Sequence, residues 1–264
     1  MSLWQSRLGG AVAVAAVGVA VVGMSSSPSP RISQGECRPV NGAQVCVWAE
    51  TDNDTLTTFG VTIPIAAIEN APADAPMTWP PVPVASIPFP DVAQTGSGFQ
   101  SLTLFWEPHG HPPAAFTTPH FDFHFNAISA AAVGAIDCSD QTKPATLSSR
   151  YVMPDVPGPM GTLVGLCVPG MGMHSMPGSE LNYTSFAKTM VFGYYHARPI
   201  FLEPMVSREQ LLKRQSFTLY VPSVPGQPIT VRPPTEFRAI YDRGTQSYRF
   251  TFSGLITSTR VSTR

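Results

Sequence analysis

The heptapeptide PHFDFHF, residues 119–125, decides the fold class. After Pro119 it alternates strictly, with His120, Asp122 and His124 set against Phe121, Phe123 and Phe125. Successive side chains of a strand point to opposite faces, whereas a helix would scatter the three rings. The phenylalanines anchor one face in a core. The other face carries His-Asp-His, which must be solvated, line a cavity or hold a metal ion.

Working outward, similar short runs recur at 44–50, 57–64, 100–106, 120–126, 162–168, 189–195 and 216–221. Each is rich in β-branched or aromatic residues and bounded by Gly, Pro or Asn, the signature of strands. Near the C-terminus, Phe237, Ala239 and Tyr241 alternate with polar residues, and so do Tyr248, Phe250 and Phe252 beyond a turn at 242–244. Helix is scarce. Ser207 and Gln210 form a capping-box pattern ahead of Leu211 and Leu212, which predicts a short helix over 207–214. Residues 127–135 fit a small-residue helix or a buried strand. Seven prolines fall in 71–90, among Trp79, Val82, Val84, Ile87 and Phe89. That stretch is too stiff and apolar for a flexible linker. It reads as an arm that wraps the body or docks on a partner chain. The expectation is a mostly β protein, one domain over 36–264, an antiparallel barrel-like or sandwich sheet with one or two short helices.

Composition agrees. Of 264 residues, 16 are Lys or Arg, 17 are Asp or Glu, and 28 are proline. An ordinary domain carries roughly twice that share of charge and half that share of proline. Coiled coils and helical bundles are excluded, as is a charge-driven disordered chain, since 43% of the residues are hydrophobic and net charge is −1. Bulk charge argues against a nucleic-acid partner. The charge is nonetheless divided: 13 acids and three bases lie from Glu36 to Glu180, and 11 bases and four acids from Lys188 onward. The two halves would attract, within one fold or between subunits of a homo-oligomer.

The N-terminus has one early charge, Arg7, then an apolar run from Ala11 to Met24 and a Ser/Pro stretch. The run is short for a membrane span, for which about 20 residues are needed. It fits a signal peptide over 1–26, cut near 23–27, with an exposed tether over 27–35. A secreted or periplasmic chain without an integral span after cleavage is expected; the rival is an uncleaved anchor. The cysteines suit an oxidising compartment. Cys37 and Cys46 flank the hairpin dipeptide Asn41-Gly42, so a bridge there is easy, leaving Cys138 with Cys167. Four cysteines permit three connectivities, and sequence does not choose among them.

All six histidines lie between residues 109 and 196: His109, His111, His120, His124, His174 and His196. Side chains at i and i+2 of a strand sit about 6–7 Å apart, a span two ligands of one ion can bridge. By the same rise His120 and His124 are about 13 Å apart, too far to share one ion. The plausible ligand pairs are His120/Asp122, Asp122/His124 and His109/His111. His174 follows glycines of an expected loop, and His196 and Glu203 flank the next strand pair and complete the candidate set. Imidazole with carboxylate suits zinc, iron, manganese or copper, and an open position would allow hydrolytic or oxidative chemistry. The competing reading is structural: cross-strand hydrogen bonding beneath loops, in a non-enzymatic envelope or self-assembling protein. A third reading takes Met171, Met173, His174 and Met176 as a copper site, against the alternative that methionine fills core gaps. No nucleophile elbow, P-loop or dinucleotide fingerprint is present in the sequence.

The segments HPP (111–113), PHFDFHF (119–125), PGMGMH (169–174) and FLEPMVS (201–207) together resemble a family of exported bacterial proteins of unknown function. The resemblance spans about residues 97–215. It implies a β-rich exported protein and supplies no reaction.

Overall fold

The computed structural model describes residues 30–158, 161–226 and 231–256, together with Met1. The expected signal peptide and its cleavage point therefore lie outside the described residues.

Strands β1 (Arg31–Val40), β2 (Ala43–Asp52) and β3 (Thr55–Pro64) are joined by two-residue turns. Asn41 and Gly42, then Asn53 and Asp54, all have positive φ, the turn geometry that matches strand twist. Helix α1 (Ile65–Glu69) leads into the proline-rich arm, which ends in β4 (Ala85–Pro88), followed by α2 (Asp91–Ser97). Strands β5 (Ser101–Glu107) and β6 (His120–Asn126) are buried along their whole length. Then come α3 (Ala130–Gly134), β7 (Tyr151–Val152) and a small ribbon of β8 (Val156–Gly158) and β9 (Gly161–Leu163). Strands β10 (Met173–Pro177), β11 (Lys188–Tyr195) and β12 (Arg198–Ser207) precede α4 (Arg208–Leu212). Strands β13 (Phe217–Tyr220), β14 (Glu236–Asp242) and β15 (Ser247–Ser253) close the chain's described part.

These strands build two antiparallel sheets, ordered β1-β2-β3-β15-β14-β13 and β4-β5-β6-β12-β11-β10-β7. Neither closes on itself, so the architecture is a sandwich and not a barrel. Phe121, Phe123 and Phe125 are fully buried between the sheets. Phe123 meets Phe250 at 4.7 Å and Phe125 meets Phe252 at 4.7 Å, ring centre to ring centre. Both contacts join the heptapeptide to the alternating C-terminal hairpin. The two disulfides are Cys37–Cys46 and Cys138–Cys167.

Several expectations need correction. Among the described residues four short α-helices occur where one or two were expected. Residues 31–35, read as tether, form the exposed start of β1. Residues 127–135 contain the exposed helix α3, capped by the Ser129 hydroxyl, which accepts from the Ala132 N–H at 3.2 Å. The run 162–168 is strand only to Leu163; a 3-10 turn over Val164–Leu166 follows, and Gly165 within it takes a left-handed φ of 59° that ends the extended chain. The arm lies on its own body: Trp106 Nε1 donates to the Pro72 carbonyl at 2.8 Å, and Ile87 and Phe89 enter the core. The expected helix at 207–214 is α4, with Ser207 Oγ accepting from the Gln210 N–H at 3.1 Å. An ion pair between Arg214 and Glu69 links the basic and acidic halves within one chain.

Candidate metal centre

The outward face of the seven-stranded sheet holds the polar residues. His120, Asp122 and His124 project from β6, Thr103 and Glu107 pair with His124 and His120 from β5, and Ser207 pairs with His120 from β12. The flanking pairs Leu202/Phe125 and Met205/Asp122 set Glu203 on the row of His124. His174 pairs with Gly193, and Gly193 with Phe201. His174 therefore lies on β10 and not in the expected glycine loop, which ends just before it in a Val168–Gly172 bridge. Gly193 is required by close approach. A Cβ there would lie 2.0 Å from the Phe201 ring. That ring lies over β11 and stacks on His124 at 4.2 Å and 14°.

Six of the candidate residues form two sets, His111/His120/Asp122 and His124/His174/Glu203; within each, the ligand atoms all lie within 4.8 Å of one another. In the first set His120 Nε2 is 3.1 Å from His111 Nε2 and 3.1 Å from Asp122 Oδ1, and His111 Nε2 is 3.4 Å from Asp122 Oδ2. Three ligands at about 2.0–2.1 Å from a tetrahedral ion stand about 3.3 Å apart, so the set has the edges an ion needs. In the second, Glu203 Oε1 is 3.2 Å from His124 Nε2 and Oε2 is 4.0 Å from His174 Nε2. This set is looser.

Carbonyl oxygens fix the direction of three rings. His111 Nδ1 lies 2.8 Å from the Pro112 carbonyl, His120 Nδ1 2.6 Å from that of Thr118, and His174 Nδ1 2.9 Å from that of Leu166. A carbonyl only accepts, so each Nδ1–H donates and each neutral ring turns a bare Nε2 to its carboxylate. Asp122 Oδ1, His124 Nε2 and Glu203 Oε2 are buried with no hydrogen-bond partner among the described residues. In the first set lone pairs thus converge on lone pairs, an arrangement that calls for a cation or a proton there, while in the second set no carbonyl fixes the His124 tautomer.

Burial and the mutual charges of the two sets move their titration in opposite directions. Burial opposes ionisation of Asp122, but the His120 and His111 imidazoles outweigh it and hold the carboxyl well below its usual range. Burial likewise opposes protonation of His111, yet Asp122 and the Pro112 carbonyl push it up to about 9. In the second set burial lowers His124 to about 4 and also lowers His174. Burial, with the Asp122 charge, raises Glu203 to about 8. These directions make His111 the group most readily protonated in the first set and Glu203 the one in the second.

Both sets border one small cavity of about 30 Å³, lined by His111, Asp122 and His174 with Glu107, Trp79 and Leu166. That is room for one or two waters. Glu107 was not among the sequence candidates. It shares strand parity with Ser101, Thr103 and Phe105, which is the signal that would have found it. Burial, then the Asp122 charge, raises it to about 7.

Two candidates stand apart. His109 is exposed, outside both sets, so the expected His109/His111 pair does not form. His196 and Ala197, with φ of 50° and 58°, are the turn between β11 and β12. His196 Nδ1 bonds Asp140 Oδ2 at 2.5 Å on the surface. The methionine run also separates: Met171, Met173 and Met176 enter three different apolar clusters, so they supply no common thioether set. Comparison of the chain with protein-family models, curated proteins and solved structures gave no match.

Proposed function

We propose that the protein is an exported metal-binding β-sandwich that holds two divalent transition ions, one on His111, His120 and Asp122 and the other on His124, His174 and Glu203. The observation that carries this reading is the set of carbonyl-locked imidazoles, which aim bare Nε2 atoms at buried carboxylates with no donor between them. Two imidazoles and one carboxylate suit zinc, iron, manganese or copper(II), whereas soft copper(I) would want the thioethers that lie elsewhere. Each set carries −1 when its imidazoles are neutral, so a divalent ion with a bound hydroxide would be neutral overall. When bound, such an ion supplies Lewis acidity and an acidified water. The shared cavity of about 30 Å³ fits a water. Glu107 and Asp122 would orient that water, and Trp79 and Leu166 would exclude bulk solvent.

The test is the metal content of the chelator-stripped chain after reloading with Zn²⁺, Mn²⁺, Fe²⁺ or Cu²⁺. Two ions per chain with a raised Tm is the expected result. No stoichiometric retention and no thermal shift for any of the four would overturn the reading. The self-assembly reading retains one observation, the exposed Met77, Val82 and Val84 on the arm. A monomer by light scattering counts against it.

A further inference from the structure

Beside the second metal set lies a larger space that neither set uses. A cleft of about 430 Å³ has Ser101, Thr103 and Phe105 as its floor, with Pro83 of the arm, Gly134 of α3 and Met171 among its walls. This is within the size range of small-molecule sites, about 300–1,000 Å³. Among the described residues no Asp, Glu, Lys, Arg or His lines it. A charged ligand would lose its hydration there without compensation.

The floor is polarised in one sense. Asn126 Nδ2 donates to Thr103 Oγ1 at 2.9 Å and lies 3.4 Å from Ser101 Oγ. It is also 3.4 Å from the His124 carbonyl, an obligatory acceptor that fixes the amide nitrogen on this side. Thr103 Oγ1, the near oxygen, therefore accepts from Asn126; the amide has two hydrogens for three oxygens, so the second goes to only one of the two partners at 3.4 Å. Neither hydroxyl donates its own hydrogen to a protein group among the described residues. Ser101 is 6% and Thr103 7% exposed, so water reaches them only through the cleft. Two unspent donors side by side fit one oxygen with two lone pairs, as in a ketone, ester or amide.

The cleft also adjoins the metal sets. Thr103 pairs with His124 across β5 and β6, and the Phe105 ring is 4.9 Å from that of His124. Met171 lines both this cleft and the small cavity of the metal sets. We propose that the cleft is a ligand-binding site for an uncharged, largely apolar molecule whose carbonyl oxygen accepts from Thr103 and Ser101. That such a ligand is the metal centre's substrate rests on the metal-binding reading; that it binds does not.

The test is a fluorescence titration of the full chain, both chelator-stripped and metal-loaded. The probe is 6-propionyl-2-(dimethylamino)naphthalene, an uncharged ketone, with 2-naphthoate as the charged control. Saturable ketone binding in both forms and none for the naphthoate is the expected result. Thr103→Val keeps the shape and removes one donor, and should weaken the ketone about three- to tenfold. Gly134→Trp should abolish binding by filling the cleft. A Cβ at Gly134 meets nothing within 4 Å, so this variant keeps the fold if Thr103→Val does not. Absence of saturable ketone binding, or unchanged binding in both variants, overturns the proposal. Ketone binding to a chain that retains no metal would instead sink the metal reading and leave the cleft standing.

Discussion

Gly193→Ala perturbs the centre without touching a ligand. The new Cβ would lie 2.0–2.2 Å from three atoms of the Phe201 ring, so the ring must leave its place over β11. Its departure breaks the 4.2 Å stack on His124 and the 5.4 Å edge contact with His174. Overpacking of this kind costs about 1–3 kcal/mol. For a domain of this size each kcal/mol lowers Tm by about 2–4 °C, so a fall of about 2–12 °C is expected. Metal affinity of the His124/His174/Glu203 set should fall about 10- to 100-fold, the effect of losing a positioning contact, while the other set is unchanged. Thermal melts of the metal-free chain and calorimetric metal titrations give the two readouts. A double-mutant cycle with Phe201→Leu supplies the control, because Gly193→Ala should cost almost nothing once the ring is gone. Gly193→Ala as stable as the parent, or equally costly in both backgrounds, would refute the reasoning.

Other outcomes follow from the same geometry. Replacing Cys138 and Cys167 by Ser frees the turn whose Leu166 carbonyl holds His174; the second set should lose affinity about tenfold or more, and equal metal titrations would contradict this. In the metal-free chain, the folded state holds a Glu107 proton that the unfolded state releases between pH 4.5 and about 7. The stability this provides is full below the lower value and lost as pH rises through the upper one. It amounts to at most about 3 kcal/mol. Glu107→Gln should flatten that fall between pH 5 and 8, and parallel urea-melt profiles would count against it. His196→Asn should leave metal content unchanged and stability within about 0.5 kcal/mol, since Asn tolerates the positive φ of that turn. Loss of an ion in that variant would place His196 back in the centre.

What the sequence made legible was local. Period-two alternation in 119–125 and in the C-terminal hairpin needs only neighbouring residues to be read, and both became facing strands of the sandwich. The cap at Ser207 and the turn at Asn41-Gly42 are equally local. The separation of His120 from His124 followed from strand rise alone, and the two rings do fall in different sets. The partition itself was not legible, because it depends on the register among β6, β12, β11 and β10. Sequence placed His174 in a loop because Gly170 and Gly172 signal a turn, yet the turn ends just before the strand begins. His196 resembled a ligand until its backbone conformation showed a hairpin corner. Glu107 was missed since its neighbours Phe105 and Trp106 hide the alternation. The cleft at Thr103 was likewise invisible, since arm, helix and strand meet there only in three dimensions.

The account turns on two metal sets, and native mass spectrometry of the metal-loaded chain with two single-site variants addresses them most directly. The parent should carry two ions. Asp122→Asn and Glu203→Gln should each carry one, because each removes the carboxylate of a different set. A parent without bound metal, or variants that both keep the parent's count, would contradict the account.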